Sequence, residues 1–233
     1  VGNGSFNSTI DIARDLSNSL VRVAKGAGLH CEAILTDMNQ VLGKSAGHTL
    51  EILECIKYIK NDFKDHRLEK ITNELISSLL VNIYKISKEE AYNKINTVIN
   101  NGLAAEKFEM MVAALGGPKN ILSSFEKDLI NTSVRKDVFC NEEGWIEKIH
   151  TRELGLILIE LGGGRKQVTD KIDYGVGYDN VLNIGDEVNS STPLLSLYSN
   201  KNIDENLINK IKSCFIISDK KIHQLSEIFE TIN

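Results

Sequence analysis

Residues 29–60 read LHCEAILTDMNQVLGKSAGHTLEILECIKYIK, and this stretch indicates the fold class. Leu29 to Met38 is an apolar, strand-like run with polar side chains gathered at its C-terminal end. Gly47 to Lys60 then places apolar residues at helical spacing. A strand followed by a helix is typical of an α/β unit, whose ligand crevices lie beyond the C-terminal ends of strands.

Further amphipathic helices surround this strand. Residues 7–25 predict a helix whose apolar face comprises Ile10, Ala13, Leu16, Leu20 and Val23. Additional helices are expected over residues 68–84, 88–102 and 104–115. The first half of the chain is therefore predicted to be a succession of helices around one strand.

The pattern changes after about Thr132. Alternating segments at residues 134–139, 145–149, 172–176 and 194–198 predict antiparallel strands. Arg152 to Leu161 is predicted to be a helix, and helical spacing returns over residues 202–217. We place the boundary near Asn131, which gives two predicted domains, 1–131 and 132–233.

Composition excludes several classes of protein. The chain has 233 residues, and 27 Lys and Arg against 32 Asp and Glu give a net charge of −5 without a basic block, so no nucleic-acid partner is expected. No apolar run approaches the roughly 20 residues of a membrane span. Its 4 widely spaced cysteines predict neither structural zinc nor a disulfide framework, and they favour a cytoplasmic location. The opening Val1-Gly2-Asn3-Gly4-Ser5 is not a secretory leader, and we expect that an N-terminal portion precedes it.

Short motifs are less specific. Gly43-Lys44-Ser45 is not a P-loop, because Met38 occupies the position of the required first glycine. The run 162–165, Gly-Gly-Gly-Arg, fits either a helix C-cap or a loop whose amides bind an anion. The histidines lack HExxH spacing, and no GxSxG nucleophile elbow occurs.

Several segments resemble one family in order along the chain. They are VGNGSF (1–6), ILTDMNQVLG (34–43), SAGHTLE (45–51), NGLAAEKF (101–108), TRELG (151–155), LGGGR (161–165) and DYGVG (173–177). Together they are similar to the pyrimidine nucleoside phosphorylase family, specifically to its C-terminal portion. Several motifs in register make this resemblance specific.

The resemblance implies an α/β fold. A helical α/β lobe of the nucleoside phosphorylase/phosphoribosyltransferase type would be followed by an α+β C-terminal domain with a barrel-sandwich-like antiparallel sheet. It implies a glycosyltransferase that converts a pyrimidine nucleoside such as thymidine, with phosphate as co-substrate, reversibly to the base and 2-deoxyribose 1-phosphate. The family is a homodimer whose contacts lie mostly in a small helical domain that is largely absent from these residues.

The family's reactive groups do not occur in this sequence. Its phosphate donors come from a Lys-x-Ser-x-Gly-Gly loop, and its base contacts come from an Arg, a Ser and the Lys of Asp-Val-Lys. Val1 to Phe6 resembles the segment that comes directly after that Asp-Val-Lys in the family. No catalytic residue is therefore assigned here, and we expect residues 1–233 alone to be inactive.

Two binding roles carry over by resemblance. In the family a monovalent cation, K⁺ or Na⁺, is held by two backbone carbonyls and one Glu, which correspond to Leu42, Ser45 and Glu54. Oxygen ligands suit such a hard cation. Leu20 corresponds to an apolar contact with the 5-substituent of the pyrimidine, although buried packing in the helix is an equal alternative.

Two other functions remain open. The chain could be a non-catalytic module that pairs with a separate N-terminal polypeptide, in which case a helix face would be apolar and exposed. Residues 172–198 also resemble a biotinyl or lipoyl carrier, but no lysine with carrier recognition residues lies at a hairpin tip.

Overall fold

A computed structural model describes residues 1–129 and 132–233, with side chains for 1–125 and 132–233. The chain forms two compact units. Unit 1 comprises Val1–His48 and Thr132–Asn233, and unit 2 comprises residues 49–131. The boundary predicted near Asn131 lies outside the described residues, so the two predicted domains stay a prediction.

Unit 1 begins with a helix packed on a small sheet. Helix α1 (Ile10–Gly26) starts at Thr9, whose side chain accepts a hydrogen bond from the amide of Ile12. Strand β1 (Ala33–Thr36) pairs antiparallel with β8 (Ile228–Ile232), the last strand of the chain. Helix α1 contacts both strands. The core between them contains Ala13, Val21, Leu35 and Ile232.

The remainder of unit 1 contains two three-stranded antiparallel sheets. One has the order β2 (Val134–Phe139), β6 (Pro193–Ser199), β4 (Gly177–Asp179). The other has the order β5 (Glu187–Val188), β3 (Gly144–Ile149), β7 (Phe215–Ser218). Helices α7 (Thr151–Leu161) and α8 (Glu205–Lys212) complete a core that includes Ile157, Tyr178 and Ile211.

Unit 2 is helical. It contains α2 (His48–Ile59), α3 (His66–Tyr84), α4 (Lys88–Asn100), α5 (Leu103–Ala114) and α6 (Ile121–Leu129). The first residue of α2, His48, is the one helix residue of this set that is assigned to unit 1. Asp65 caps α3 and Ser87 caps α4 through side-chain acceptors. Tyr58, Leu68, Ile95 and Ile99 form its central apolar cluster.

The expected mixed α/β architecture with antiparallel sheets is confirmed, and two segments need correction. Residues 172–176 are not a strand, because Asp173 directs a turn: its carboxylate accepts from the Gly175 amide, and its carbonyl accepts from the Val176 amide. Residues 202–217 are not one helix. Asp204 caps a short α8 that ends at Lys212, and β7 follows in register with β3.

The face that α1 buries also differs from the expected apolar row. Ala13, Ser17 and Val21 are buried, whereas Leu16, Leu20 and Val23 are exposed by 46%, 58% and 66%. Two small side chains, Ala13 and Ser17, are part of the face that packs on the β1–β8 sheet. Helical spacing identifies an apolar face but does not say which face meets the core.

Within residues 1–129 and 132–233, no helix is both long and apolar enough to cross a membrane. The four cysteines, Cys31, Cys55, Cys140 and Cys214, are free thiols.

Candidate functional site

A cluster of buried polar side chains lies at the C-terminal end of β1, in unit 1. Asp37 is only 3% exposed, and its carboxylate accepts hydrogen bonds from the amide and side chain of Asn39 and from the side chain of Gln40. Burial of a carboxyl group is costly without such partners, and these donors satisfy its oxygens. Gln40 in turn accepts a 2.8 Å hydrogen bond from the amide of Ile184.

Residues 1–4 run beside this strand end. The Val1 amino group donates to the carbonyl of Thr36 at 2.7 Å, and the Met38 amide donates to the carbonyl of Val1 at 2.7 Å. Gly2 has φ +128°, and a Cβ there would lie 2.6 Å from the Asn39 side-chain oxygen. Only glycine therefore allows this close approach to the strand end.

Asn3 joins three parts of unit 1. Its side-chain amide donates to the carbonyl of Ile149 at 2.9 Å, and its side-chain oxygen accepts from the amide of Thr151 at 2.7 Å. The Thr151 hydroxyl donates to the carbonyl of Asn39 at 2.8 Å. The N-terminal segment, the end of β1 and the start of α7 are thus one hydrogen-bonded network.

The loop from Asn39 to Gly47 is fixed on the C-terminal part of unit 1. Ala46 and Tyr178 exchange two backbone hydrogen bonds, of 3.0 and 2.7 Å. The carbonyl of Lys44 accepts from the amide of Val181, and the Lys44 ammonium lies 3.1 Å from Asp186. Backbone hydrogen bonds and one ion pair therefore fix the position of the loop.

The residues predicted to bind a cation lie in this loop and in α2. Leu42 and Ser45 belong to unit 1, where the Leu42 side chain is exposed and Ser45 is buried. Glu54 lies in α2, in unit 2, and is partly buried. The described residues contain no group of three or more His, Cys, Asp or Glu side chains placed to hold a metal ion. The carbonyl-based cation site stays a prediction.

Leu20 lies on the exposed face of α1. Its neighbours on that face are Ile12, Leu16 and Val23, all exposed. Burial of Leu20 against the core, the alternative considered from the sequence, is therefore wrong. Its role as a base contact stays a prediction.

The glycine run ends α7. Gly162 adopts φ +106° at the C-cap, and the amides of Gly162 and Gly163 return to the carbonyls of Ile159 and Leu158. The C-cap interpretation of this run is confirmed. Asp170, in the next loop, has a lowered pKa because the amides of Gln167 and Lys166 donate to its carboxylate.

The network through Asn3 and Thr151 could not be found by sequence reasoning. The polar residues after β1 were visible as a cluster, but their partners lie more than 100 residues away in the sequence. Both segments, VGNGSF and TRELG, are among the motifs that resemble the family. This resemblance was the signal in the sequence that the two segments matter for function.

Comparison with known proteins agrees with these motifs. Residues 145–218 match the model of the pyrimidine nucleoside phosphorylase C-terminal domain. The chain is also 42% identical over 200 residues to thymidine phosphorylase of Colwellia psychrerythraea. That match covers 85% of this chain and 46% of the relative, so the chain spans about half the length of the relative. The chain is therefore similar to thymidine phosphorylase, and residues 145–218 are similar to the C-terminal domain of pyrimidine nucleoside phosphorylases.

Proposed function

We propose that this chain is part of a pyrimidine nucleoside phosphorylase that acts on thymidine. The reaction is the reversible transfer of 2-deoxyribose from thymine to phosphate, which yields thymine and 2-deoxyribose 1-phosphate. The observation that carries the proposal is the 42% identity to a thymidine phosphorylase across 200 residues. The match of residues 145–218 to the C-terminal domain of the same enzyme class supports it independently.

The chemistry requires two kinds of group. A phosphate dianion must be held against an oxocarbenium-like sugar, and donors must stabilise the charge that develops on the departing base. The Lys-x-Ser-x-Gly-Gly loop and the Asp-Val-Lys segment that supply these groups in the family do not occur in residues 1–233. We therefore propose that these residues alone do not turn over thymidine.

Within that reaction, the contribution of this chain is positional. The buried network at the end of β1 fixes residues 1–4, the segment that resembles the continuation of Asp-Val-Lys. Leu20 is proposed as an apolar contact for the 5-substituent of the base, which its 58% exposure supports. An exposed apolar side chain can lose water when a ligand covers it.

A monovalent cation, K⁺ or Na⁺, is proposed to bind the carbonyls of Leu42 and Ser45 and the carboxylate of Glu54. Two carbonyl oxygens and one carboxylate are donors that suit a hard cation. The hydrogen bonds of Lys44 and Ala46 to Val181 and Tyr178 support this role, because they fix the loop that carries two of the donors. When bound, the cation would stabilise the arrangement of that loop.

The remaining family properties are proposals of the same kind. They are a first lobe of the nucleoside phosphorylase/phosphoribosyltransferase type over 1–131, a barrel-sandwich-like domain over 132–233, a homodimer and a cytoplasmic location. The hydrogen-bonded antiparallel sheets after residue 132 support the second of these.

The proposal is tested by thymine release from thymidine and phosphate. Residues 1–233 are assayed alone and after co-expression with the part of the Colwellia psychrerythraea enzyme that they do not match. We expect activity only from the co-expressed pair. A purified pair without activity would contradict the proposed function, and activity of residues 1–233 alone would contradict the assignment of the reactive groups.

A second candidate is a non-catalytic module that pairs with a separate polypeptide. The exposed apolar row Leu16, Leu20 and Val23 on α1 favours it, because such a row is typical of a surface covered by a partner. Under this hypothesis the co-expressed pair purifies together but does not release thymine. A monomer that stays soluble and does not bind the other portion would count against it.

A further inference from the structure

We propose that a pocket at the C-terminal end of α7 binds the phosphate group of a small molecule. The pocket has a volume of about 290 Å³ and lies within unit 1. Its lining includes Gly162, Gly164 and three lysines, Lys166, Lys171 and Lys201. The proposal does not rest on the proposed function, which uses none of these residues.

The acidic side chains of the pocket are already engaged. The carboxylate of Glu160 lies 2.7 Å from the ammonium of Lys210. The carboxylate of Asp170 accepts from the backbone amides of Lys166 and Gln167, both at 2.9 Å. Each carboxylate therefore has a closer partner than the ammonium groups of the three lysines that line the pocket.

Among the described residues the three lysines make no close ion pair, and Lys166 interacts with the carboxylates of Glu160 and Asp170 only at longer range. Lys201 donates to the backbone carbonyl of Glu160 at 2.8 Å. With three lysines against two carboxylates, the lining carries a net charge of about +1 in a chain whose net charge is −5. Lysine ammonium groups bind phosphate as point charges, and a dianion would neutralise two of them.

The end of α7 presents little negative charge to the pocket. A helix C-terminus normally repels anions through its unsatisfied carbonyls. Here the carbonyls of residues 158, 159 and 160 accept from Gly163, Gly162 and Lys201, and the carbonyl of Gly162 accepts from the amide of Asp173. Most of the acceptors that would oppose an anion are therefore occupied.

Two glycines of the lining depend on the absence of a side chain. Gly162 has φ +106°, a backbone conformation that a residue with a Cβ rarely adopts. A Cβ on Gly164 would lie 2.7 Å from the Ile159 side chain. The Gly164 amide has no acceptor among the residues that the structure describes, so it is available as a donor to an anion.

The size of the pocket restricts the ligand. Sites for drug-sized ligands usually have volumes of about 300–1,000 Å³, and this pocket lies at the lower limit. Its lining is mainly polar and cationic, so the shared chemistry of its ligand is a dianionic phosphate group, as in inorganic phosphate or a sugar phosphate.

The test is calorimetric titration of residues 1–233 with inorganic phosphate and, separately, with 2-deoxyribose 1-phosphate. Sodium chloride at the same ionic strength is the blank. We expect saturable binding with a dissociation constant of about 1 mM or tighter. The variant Lys166→Gln/Lys171→Gln should bind about tenfold more weakly, because each lysine supplies a charge-assisted contact. Tighter binding of the sugar phosphate than of inorganic phosphate would identify the ester as the ligand.

A matched control distinguishes binding in the pocket from nonspecific attraction of phosphate to surface lysines. Lys220→Gln/Lys221→Gln removes two exposed lysines that do not line the pocket and should leave the dissociation constant unchanged. Circular dichroism checks that each variant is folded. Absence of saturable binding, or equal weakening in both double variants, would overturn the proposal. Residues 1–233 lack the Lys-x-Ser-x-Gly-Gly loop, so either result leaves the phosphorolysis proposal to be decided by its own assay.

Discussion

The backbone amide of Thr151 donates a 2.7 Å hydrogen bond to the side-chain oxygen of Asn3, across 148 residues of sequence. Because the Thr151 hydroxyl also donates to the carbonyl of Asn39, the first residues of α7 and the end of β1 are tied to the same asparagine-rich cluster. The position of residues 1–4 beside the end of β1 therefore depends on contacts from the start of α7.

Replacement of Asn3 should measure this connection. Asn3→Ala leaves the carbonyl of Ile149 and the amide of Thr151 without their side-chain partner, which should lower the free energy of unfolding by about 1–3 kcal/mol. Urea denaturation provides the measurement. Asn202→Ala, at an exposed loop position, is the control and should change stability by less than about 0.5 kcal/mol. Equal effects of the two substitutions would show that the network contributes nothing.

Gly47 should not tolerate a side chain. It has φ +120°, and a Cβ would lie 2.6 Å from the carbonyl oxygen of Val176, next to the paired residues Ala46 and Tyr178. Gly47→Ala should therefore cost at least about 1–3 kcal/mol from backbone strain alone. Gly155→Ala, in the interior of α7 with open space around it, should instead stabilise by about 0.5–1 kcal/mol. Thermal unfolding of both variants tests whether Gly47→Ala lowers the stability and Gly155→Ala raises it.

The two faces of α1 should differ in sensitivity to truncation. Val21 is 4% exposed, so Val21→Ala should destabilise by about 1.5–2 kcal/mol through lost apolar burial. Leu20→Ala, on the exposed face, should change the free energy of unfolding by less than about 0.5 kcal/mol. A larger loss at Leu20 than at Val21 in denaturant titrations of residues 1–233 would mean that α1 buries the other face.

Tyr58 should make stability depend on alkaline pH. Burial raises the pKa of Tyr58 from 10 to about 12, and its hydroxyl donates to Asn73 at 3.0 Å. The folded state therefore retains a proton that the unfolded state loses, so this stabilisation is complete below pH 10 and declines as the pH rises from 10 to 12. The loss amounts to at most about 3 kcal/mol.

The variant Tyr58→Phe isolates this contribution. It should be less stable than the parent by about 1 kcal/mol at pH 8, because the side-chain oxygen of Asn73 loses its donor. The difference in unfolding free energy should narrow as the pH rises above 10 and should change sign before pH 12, because the parent loses more stability than the hydrogen bond contributes. A difference that stays constant over this range would show that the pKa of Tyr58 is not raised in the folded state.

Local patterns were sufficient where the signal is short-range. The strand Val134–Phe139 and the helix beginning near Arg152 were predicted almost to the residue, since alternation and glycine termination both lie within a few positions. The prediction of a strand at residues 172–176 was wrong. The apolar and polar residues alternate there as in a strand, but the Asp173 side chain stabilises a turn instead.

Long-range contacts were beyond sequence reasoning. The apolar row Leu16, Leu20 and Val23 looked like a core-facing stripe, but β1 and β8 pack on the smaller residues Ala13 and Ser17 with Val21. Strand β8 pairs with β1 from the opposite end of the chain, and nothing in the local pattern of either strand specifies that partner. Family resemblance, by contrast, was confirmed by comparison, because it rests on several motifs in order.

The most direct test of the central claim is the stoichiometry of products formed by residues 1–233 co-expressed with the unmatched part of the Colwellia psychrerythraea thymidine phosphorylase. Thymine and 2-deoxyribose 1-phosphate are quantified with and without inorganic phosphate. The account predicts equal amounts of the two products with phosphate and no thymine without it. Thymine release that is independent of phosphate, or that occurs without formation of the sugar phosphate, would contradict it.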